Sequence, residues 1–353
     1  MRAVLFRADA SATLGAGHWT RCGALAAALR DRGVRTLLAA RSPTDGFALT
    51  PPAKLELIPL DSTVQSQVAD ANECAALLDA TGAECIVVDH YGLDCEWESA
   101  MRHACPDKQL VALEDLPFRR HNASMVIAPS GTAAGEEFRT FLSSGTRYLG
   151  GPTFALLRPE FSLVRPLAIA RRTFAPERCA ALSVLISMGA TDPEGLSLDA
   201  LAGARSSGVT GSITLVLASA SPILDRVRDA IADYPAARLL VDVADMATLM
   251  AESDIGIGAA GGTSWERCAV GLPSLAVCIA ANQAEVAARL NEAAAAIVIH
   301  GLRPSFDEYA EGLCALADPT TRAAISRNAA KLCDGAGARN VANQMISAFS
   351  TSR

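Results

Sequence analysis

Two α/β domains in tandem are predicted by three features of this 353-residue sequence: its length, a repeated alternation of short β-rich runs with helical spacing, and a break in that alternation near the middle. At roughly 100 to 200 residues per domain, the length calls for two hydrophobic cores. The alternation implies parallel strands covered by helices on both faces. With 50% apolar, 20% charged and 5% aromatic residues, the composition excludes disordered and fibrous chains.

The run RAVLF leads through a glycine loop to Trp19, Cys22, Leu25, Ala26 and Leu29 at helical spacing, with Gly33 as the stop and VRTLLAA as the next strand. After this β-α-β unit come a helix through Val68, Cys74, Leu77 and Leu78, the buried-strand run CIVVD (85–89), a helix after Asp94, and the strands QLVALED (109–115) and MVIAPS (125–130). A proline- and arginine-rich stretch then breaks the pattern. A second series follows: LSVLISMG (182–189), a helix after Pro193, SITLVLA (212–218), RLLVDV (238–243), IGIGAA (255–260), a helix from Thr263, and PSLAVCIA (273–280). The expected organisation is a Rossmann-like domain over 1–160, a linker over 161–181, a second Rossmann-like domain over 182–335, and a terminal helix over 336–353.

Lys and Arg number 31 against 38 Asp and Glu, a net charge of −7 with no basic run, so nucleic acid is not an expected partner. No uncharged run approaches the roughly 18 apolar residues of a membrane span. The opening residues place Asp9 where a signal peptide would have its hydrophobic region, so a cytoplasmic location is expected, with no required protein partner. Ten cysteines without a C-x-x-C pair read as reduced, buried thiols, and neither a structural zinc nor any other metal site is expected.

Gly15-Ala16-Gly17-His18-Trp19-Thr20 opens a helix after strand one, where backbone N–H groups can hold an anion. A nicotinamide fingerprint is weak, because Thr20 stands where a third glycine belongs and Arg41 where an acid belongs. His18, on this loop and facing an expected interdomain cleft, is a candidate base; capping or packing is the competing reading. Asp89-His90-Tyr91-Gly92 and Glu114-Asp115 end strands at the edge where open α/β sheets bind ligands, although turn chemistry and surface ion pairs explain such residues equally. Ser187-Met188-Gly189-Ala190-Thr191-Asp192-Pro193 turns a strand into a helix, with Asp192 as N-cap and Pro193 in first helical position. In Gly258 to Arg267 a glycine run lets a ligand approach backbone amides, while Thr263-x-x-Glu266 also fits a capping box. Asn282-Gln283 offers amides that suit sugar hydroxyls or cap a helix.

Taken together, RADASATLGAGHWTRC, VVDHYGLDCEWE, LEDLPFRRH, GGPTFALLRPEF, SMGATDP, GAAGGTSWERCAVGLPSL and AANQ resemble, in order and spacing, the UDP-sugar hydrolase family of pseudaminic acid biosynthesis. That family is similar to the GT-B glycosyltransferases of MurG type, so the resemblance implies two Rossmann-like domains facing across a cleft. It implies metal-independent hydrolysis, with no cofactor, of UDP-2,4-diacetamido-2,4,6-trideoxy-β-L-altropyranose to UDP and the free sugar, with inversion. By the same resemblance His18 is the base, Tyr91 and Asn282 contact the sugar, Glu266 holds the ribose, and the amides of Gly261, Gly262, Thr263 and Ser264 hold the diphosphate. Gly15, Gly17, Arg21, Asp89, Gly189 and Gln283 complete the expected substrate-binding set. The family usually has D-D-L where Glu114-Asp115-Leu116 stands, D-Q-N where Ala128-Pro129-Ser130 stands, and Gly, Gly and Ser at Ala190, Ala260 and Gly262. A UDP-sugar glycosyltransferase, a hydrolase of a related UDP-amino sugar and a non-catalytic nucleotide-sugar binder are the alternatives.

Overall fold

The computed structural model describes residues 1–10, 17–41, 55–174 and 181–350. The chain divides into two compact units, Met1–Pro159 with Ala336–Arg353, and Glu160–Gly335.

Unit 1 is built on a seven-stranded parallel sheet. Its elements are β1 (Ala3–Ala8), α1 (Gly17–Arg30), β2 (Arg35–Arg41), β3 (Glu56–Leu60), α2 (Gln67–Thr81), β4 (Cys85–Asp89), α3 (Cys95–Ala104), β5 (Gln109–Leu113), β6 (Met125–Ala128) and β7 (Arg147–Gly150). The strand order is β3-β2-β1-β4-β5-β6-β7. Alternation along β1 divides the core in two: Val4, Phe6 and Ala8 pack with Trp19, Leu25 and Leu29 of α1, whereas Ala3 and Leu5 pack with Cys74, Leu78, Trp97 and Met101 of α2 and α3. Arg7 interrupts this apolar run and is buried. Its guanidinium donates to both carboxylate oxygens of Asp70 and of Asp9, which satisfies the buried cation.

In unit 2, a six-stranded parallel sheet has the order β10-β9-β8-β11-β12-β13. Its elements run α4 (Pro159–Phe174), β8 (Leu182–Ser187), α5 (Leu196–Ser206), β9 (Thr210–Leu217), α6 (Leu224–Ile231), β10 (Ala237–Val241), α7 (Met246–Glu252), β11 (Ile255–Ala259), α8 (Thr263–Ala269), β12 (Ser274–Cys278), α9 (Ala284–Glu292), β13 (Ile297–His300), α10 (Phe306–Ala317) and α11 (Pro319–Leu332). The last helix, α12 (Gly337–Ser350), returns to unit 1, where Val341 and Met345 join the α1 side of the core.

Several expectations change. The described part of the stretch expected as a linker is helix α4, and its arginines bind the carbonyl ends of other helices. Arg165 donates to Ala269, Ala330 and Cys333 oxygens, and Arg171 and Arg172 to those of Ala251, Met250 and Ser253. The last carbonyls of a helix lack intrahelical partners and carry partial negative charge, so cations are favoured there. Strands β3, β7 and β13 are additions at or next to sheet edges, and Glu114-Asp115 lies beyond the end of β5. Of the nine described cysteines, all free thiols, Cys314 is exposed and Cys95 and Cys278 are half-buried; Cys179 lies outside the described residues.

Helix α5 starts at Leu196 with Gly195 as its N-cap, not directly after Asp192. Asp192 nevertheless caps the helix from upstream, its two carboxylate oxygens accepting from Leu196 N at 3.0 Å and Ser197 N at 2.8 Å. It does so from a left-handed backbone, φ 41°, which Asn also tolerates. Asp192→Ala should therefore lower unfolding free energy by about 1–2 kcal/mol, the scale of a lost cap, and Asp192→Asn by less, as read from denaturant midpoints.

Candidate functional site

Chain order reverses in unit 1 between β1 and β4, since β1 is followed by β2 and β3 on one side and β4 lies on the other. The helices that follow the two strands there, α1 and α3, pack on opposite faces of the sheet, the arrangement in which open α/β sheets bind ligands at the carboxyl edge. His18, second residue of α1, and Asp89, last residue of β4, meet at this point.

His18 Nδ1 lies 2.6 Å from Asp89 Oδ1. Asp89 has no exposed surface, and burial by itself would raise its pKa, but the charge of Arg21, with hydrogen bonds from Arg21 and His18, outweighs burial and lowers it to about 2. The carboxylate is therefore ionised and can only accept, so the proton between the two groups belongs to Nδ1, and in the neutral ring the lone pair is on Nε2. Arg21 donates to Asp89 through Nε and a terminal nitrogen, both at 2.5 Å, and to Asp115 Oδ2 at 2.6 Å through the other. Its pKa stands well above the ordinary value, because the charges of Asp115 and Asp89 overcome the desolvation that opposes it. Tyr91 donates to Asp115 Oδ2 at 3.2 Å, and its ring meets that of His18 edge to face at 4.9 Å.

This geometry revises one expected role. Asp89 is inaccessible and both its oxygens are engaged, so it orients His18 and does not contact a ligand. Arg21 has Asp89 and Asp115 as partners and serves the same array. Asp115, for which a ligand role and a surface ion pair were equally open from sequence, ties Arg21 to Tyr91; its place just beyond β5 at the carboxyl edge was the available signal. His90 takes part in turn chemistry, Nδ1 accepting from Gly92 N at 2.9 Å while Nε2 faces Asp9 at 3.3 Å. Gly17 is exposed at the start of α1, and Gly15 lies outside the described residues.

Unit 2 repeats the reversal between β8 and β11. Gly189, exposed with φ 126°, follows β8, and the loop 260–263 follows β11. The amides of Gly261 and Gly262 donate no main-chain hydrogen bond among the described residues, whereas the Ser264 amide is committed to the Gly261 carbonyl at 2.9 Å. The Ser264 hydroxyl is buried and accepts from Arg267 at 2.9 Å. The anticipated capping box is not formed: Gly262 occupies the N-cap position and Thr263 is already helical. Glu266 is half-buried, Asn282 is exposed, and the side-chain oxygen of Gln283 accepts from Ile279 N at 3.0 Å.

Arg267 is the second residue that sequence reading missed. Its buried guanidinium donates to Ala259 O at 2.8 Å and reaches Thr263 Oγ1 at 3.4 Å, so it braces the loop from below. A side chain at Gly258 would overlap this guanidinium and the Ser187 carbonyl, and one at Gly256 would meet Leu272 first, so both glycines answer to packing within the unit. The i,i+4 spacing of Thr263 and Arg267 was the only sequence signal. Among the described residues no group of three or more His, Cys, Asp or Glu side chains is arranged to hold a metal ion, and no helix is long and apolar enough to cross a membrane.

No protein-family model matches the chain. It is 27% identical over 161 residues to the spore coat polysaccharide biosynthesis protein SpsG of Bacillus subtilis, a match covering 45% of each chain. The chain spans about half the length of the curated relatives it matches. The solved structure of MurG from Acinetobacter baumannii superposes with a TM-score of 0.70 at 15% identity, covering 98% of this chain and 100% of that one. UDP-GlcNAc 2-epimerase from Neisseria meningitidis, bound to UDP-GlcNAc, gives 0.64 at 11% identity with 98% and 100% coverage. The fold is thus that of the GT-B glycosyltransferases and the related epimerases.

If Asp89 sets the tautomer of His18, nitrogen-15 NMR should find the proton on Nδ1. Asp89→Asn, whose amide can donate toward the ring, should move it to Nε2. An unchanged pattern in a folded variant would remove Asp89 as the orienting group.

Proposed function

We propose that this chain acts at the anomeric carbon of a UDP-sugar, with His18 as the base that takes the proton of the attacking hydroxyl. The observation that carries this reading is the His18–Asp89 pair, in which an ionised, inaccessible carboxylate holds Nδ1–H at 2.6 Å and leaves Nε2 as the acceptor. Asp89 and Asp115 carry two negative charges against one positive charge on Arg21, a net of −1 beside the ring. When His18 receives a proton the cluster becomes neutral, so the transition state gains charge compensation that the resting state lacks.

Unit 1 supplies the base, with Tyr91 directed to the sugar. Unit 2 supplies the nucleotide contacts: amides of Gly261, Gly262 and Thr263 for the diphosphate, Glu266 for the ribose, Gly189 for close backbone approach, and Asn282 with Gln283 for the sugar. The fold likeness to MurG and to an epimerase bound to UDP-GlcNAc supports a UDP-sugar, and the name of SpsG supports polysaccharide synthesis.

Water is the attacking hydroxyl in the reading we favour. Its oxygen bonds to the anomeric carbon with inversion, its proton passes to Nε2, and the bond to UDP breaks with the electron pair leaving on the diphosphate. The substrate implied by the sequence motifs is UDP-2,4-diacetamido-2,4,6-trideoxy-β-L-altropyranose, or a related UDP-amino sugar. Transfer to an acceptor alcohol is the second reading. It is favoured by the TM-score of 0.70 with MurG, and the same base would serve it.

UDP release in water with no acceptor added separates the two. In ¹⁸O-labelled water with excess chelator, hydrolysis should persist and place label on the anomeric hydroxyl with none in UDP. Release only on addition of an acceptor would establish transfer. Label on phosphorus, or UMP among the products, would refute attack at carbon altogether. His18→Asn should lower turnover by roughly 10² to 10⁴ while UDP affinity stays within about twofold, the pattern of a lost base.

A further inference from the structure

Behind Asp115 lies a second array that neither the base nor the nucleotide contacts use. His121 is buried, and each of its ring nitrogens faces a buried carboxylate: Nδ1 is 2.7 Å from Glu98 Oε1 on α3, and Nε2 is 3.1 Å from Glu114 Oε2 beyond the end of β5. Ionised carboxylates only accept, so the ring satisfies both only by donating from both nitrogens, as the imidazolium. Charge balance is consistent with this, although what sets His121 apart is a carboxylate at each ring nitrogen. The charged groups around the ring are Glu98, Glu114 and Arg119, whose guanidinium lies 3.2 Å from Glu114 Oε2. Two negative charges against Arg119 alone leave −1 in a buried cluster, and the imidazolium brings it to zero.

The array is joined to the base through Glu114. Its other oxygen, Oε1, accepts from the main-chain N–H of Asp115 and of Leu116, both at 2.9 Å, and so pins the backbone from which the Asp115 carboxylate reaches Arg21 and Tyr91. Arg21 in turn holds Asp89, and Asp89 holds His18. This linkage also accounts for glutamate at 114, where the resembling family has aspartate: one oxygen reaches back to the amides while the other reaches the ring.

We propose that the His121 imidazolium is a positioning residue for the His18 base, acting through Glu114 and the main chain of Asp115 on the Arg21–Asp89 pair. This rests on the reading of His18 as base. Burial opposes the charged form of His121, but hydrogen bonds to Glu114 and Glu98 prevail and raise its pKa from 6.5 to about 9. Since the folded value lies above the unfolded one, the charged ring stabilises unit 1 fully below about pH 6.5, and that contribution disappears as pH rises through about 9.

The test is nitrogen-15 NMR of histidine-labelled protein from pH 7 to 10, with UDP release measured at the same points. His121 should show two protonated ring nitrogens at pH 8 and lose one near pH 9, and the Nδ1–H resonance of His18 should shift in that same step. Glu98→Gln, which keeps the shape but removes one carboxylate, should move the step about 1–3 pH units lower and carry the alkaline limb of UDP release with it. A singly protonated His121 at pH 8, or a His18 resonance unmoved while His121 titrates, would overturn the proposal. Absence of UDP release from the wild type would refute the proposed reaction alone, because the NMR arm reads the linkage without turnover.

Discussion

Asp89 ends a central strand with no exposed surface, and an ionised carboxylate removed from water costs several kcal/mol unless its oxygens are satisfied. Arg21 and His18 meet that requirement from the first turns of α1, which ties the helix to the strand that lies beside β1. The same bonds settle the tautomer of His18. One constraint, the charge of Asp89, therefore decides both how the first helix is seated and which nitrogen of the histidine can accept a proton. Asp115 is needed in turn because Arg21 has donors left after Asp89 is satisfied, and Tyr91 uses the remaining reach of that carboxylate.

Unit 2 solves a different problem with buried cations. Arg267 and the α4 arginines Arg165 and Arg172 donate chiefly to carbonyl and hydroxyl oxygens, and Arg171 adds one ion pair with Asp254. Desolvation lowers the pKa of Arg172 to about 9 and that of Arg267 to about 10, still charged at neutral pH. A guanidinium answered by carbonyl dipoles fixes loop and helix ends without a compensating acid. In β11 this requirement bears on Gly258, where a side chain would overlap the Arg267 guanidinium as well as the Ser187 carbonyl. The loop above, whose Gly261 and Gly262 amides donate no main-chain hydrogen bond among the described residues, is held in place by the buried Arg267.

The switch points of the two units differ in charge. The cluster at the switch point of unit 1 carries net −1 and is prepared to receive a proton, whereas that of unit 2 presents main-chain donors braced by a cation, which suits a diphosphate.

The sequence by itself determined the parallel α/β architecture, the division into two units and the edge on which polar residues gather. All three follow from patterns within single segments, continuous apolar runs such as the all-buried β1, β4 and β11 alternating with stretches of helical spacing. The edge strands β3, β7 and β13 were not legible, unlike the edge strand β10, because four or five residues, interrupted in β3 by Pro59, carry no alternation strong enough to mark them. The nature of α4 was hidden too, since its arginines make sense only beside the helix ends they cap. Within the site, His18 was legible as a residue on a glycine loop, but its state was not. Asp89 is 71 positions away in sequence from His18, and Glu98 is 23 from His121. Protonation, tautomer and burial are set by groups brought together through strand order, and that order emerges only when the sheet is assembled.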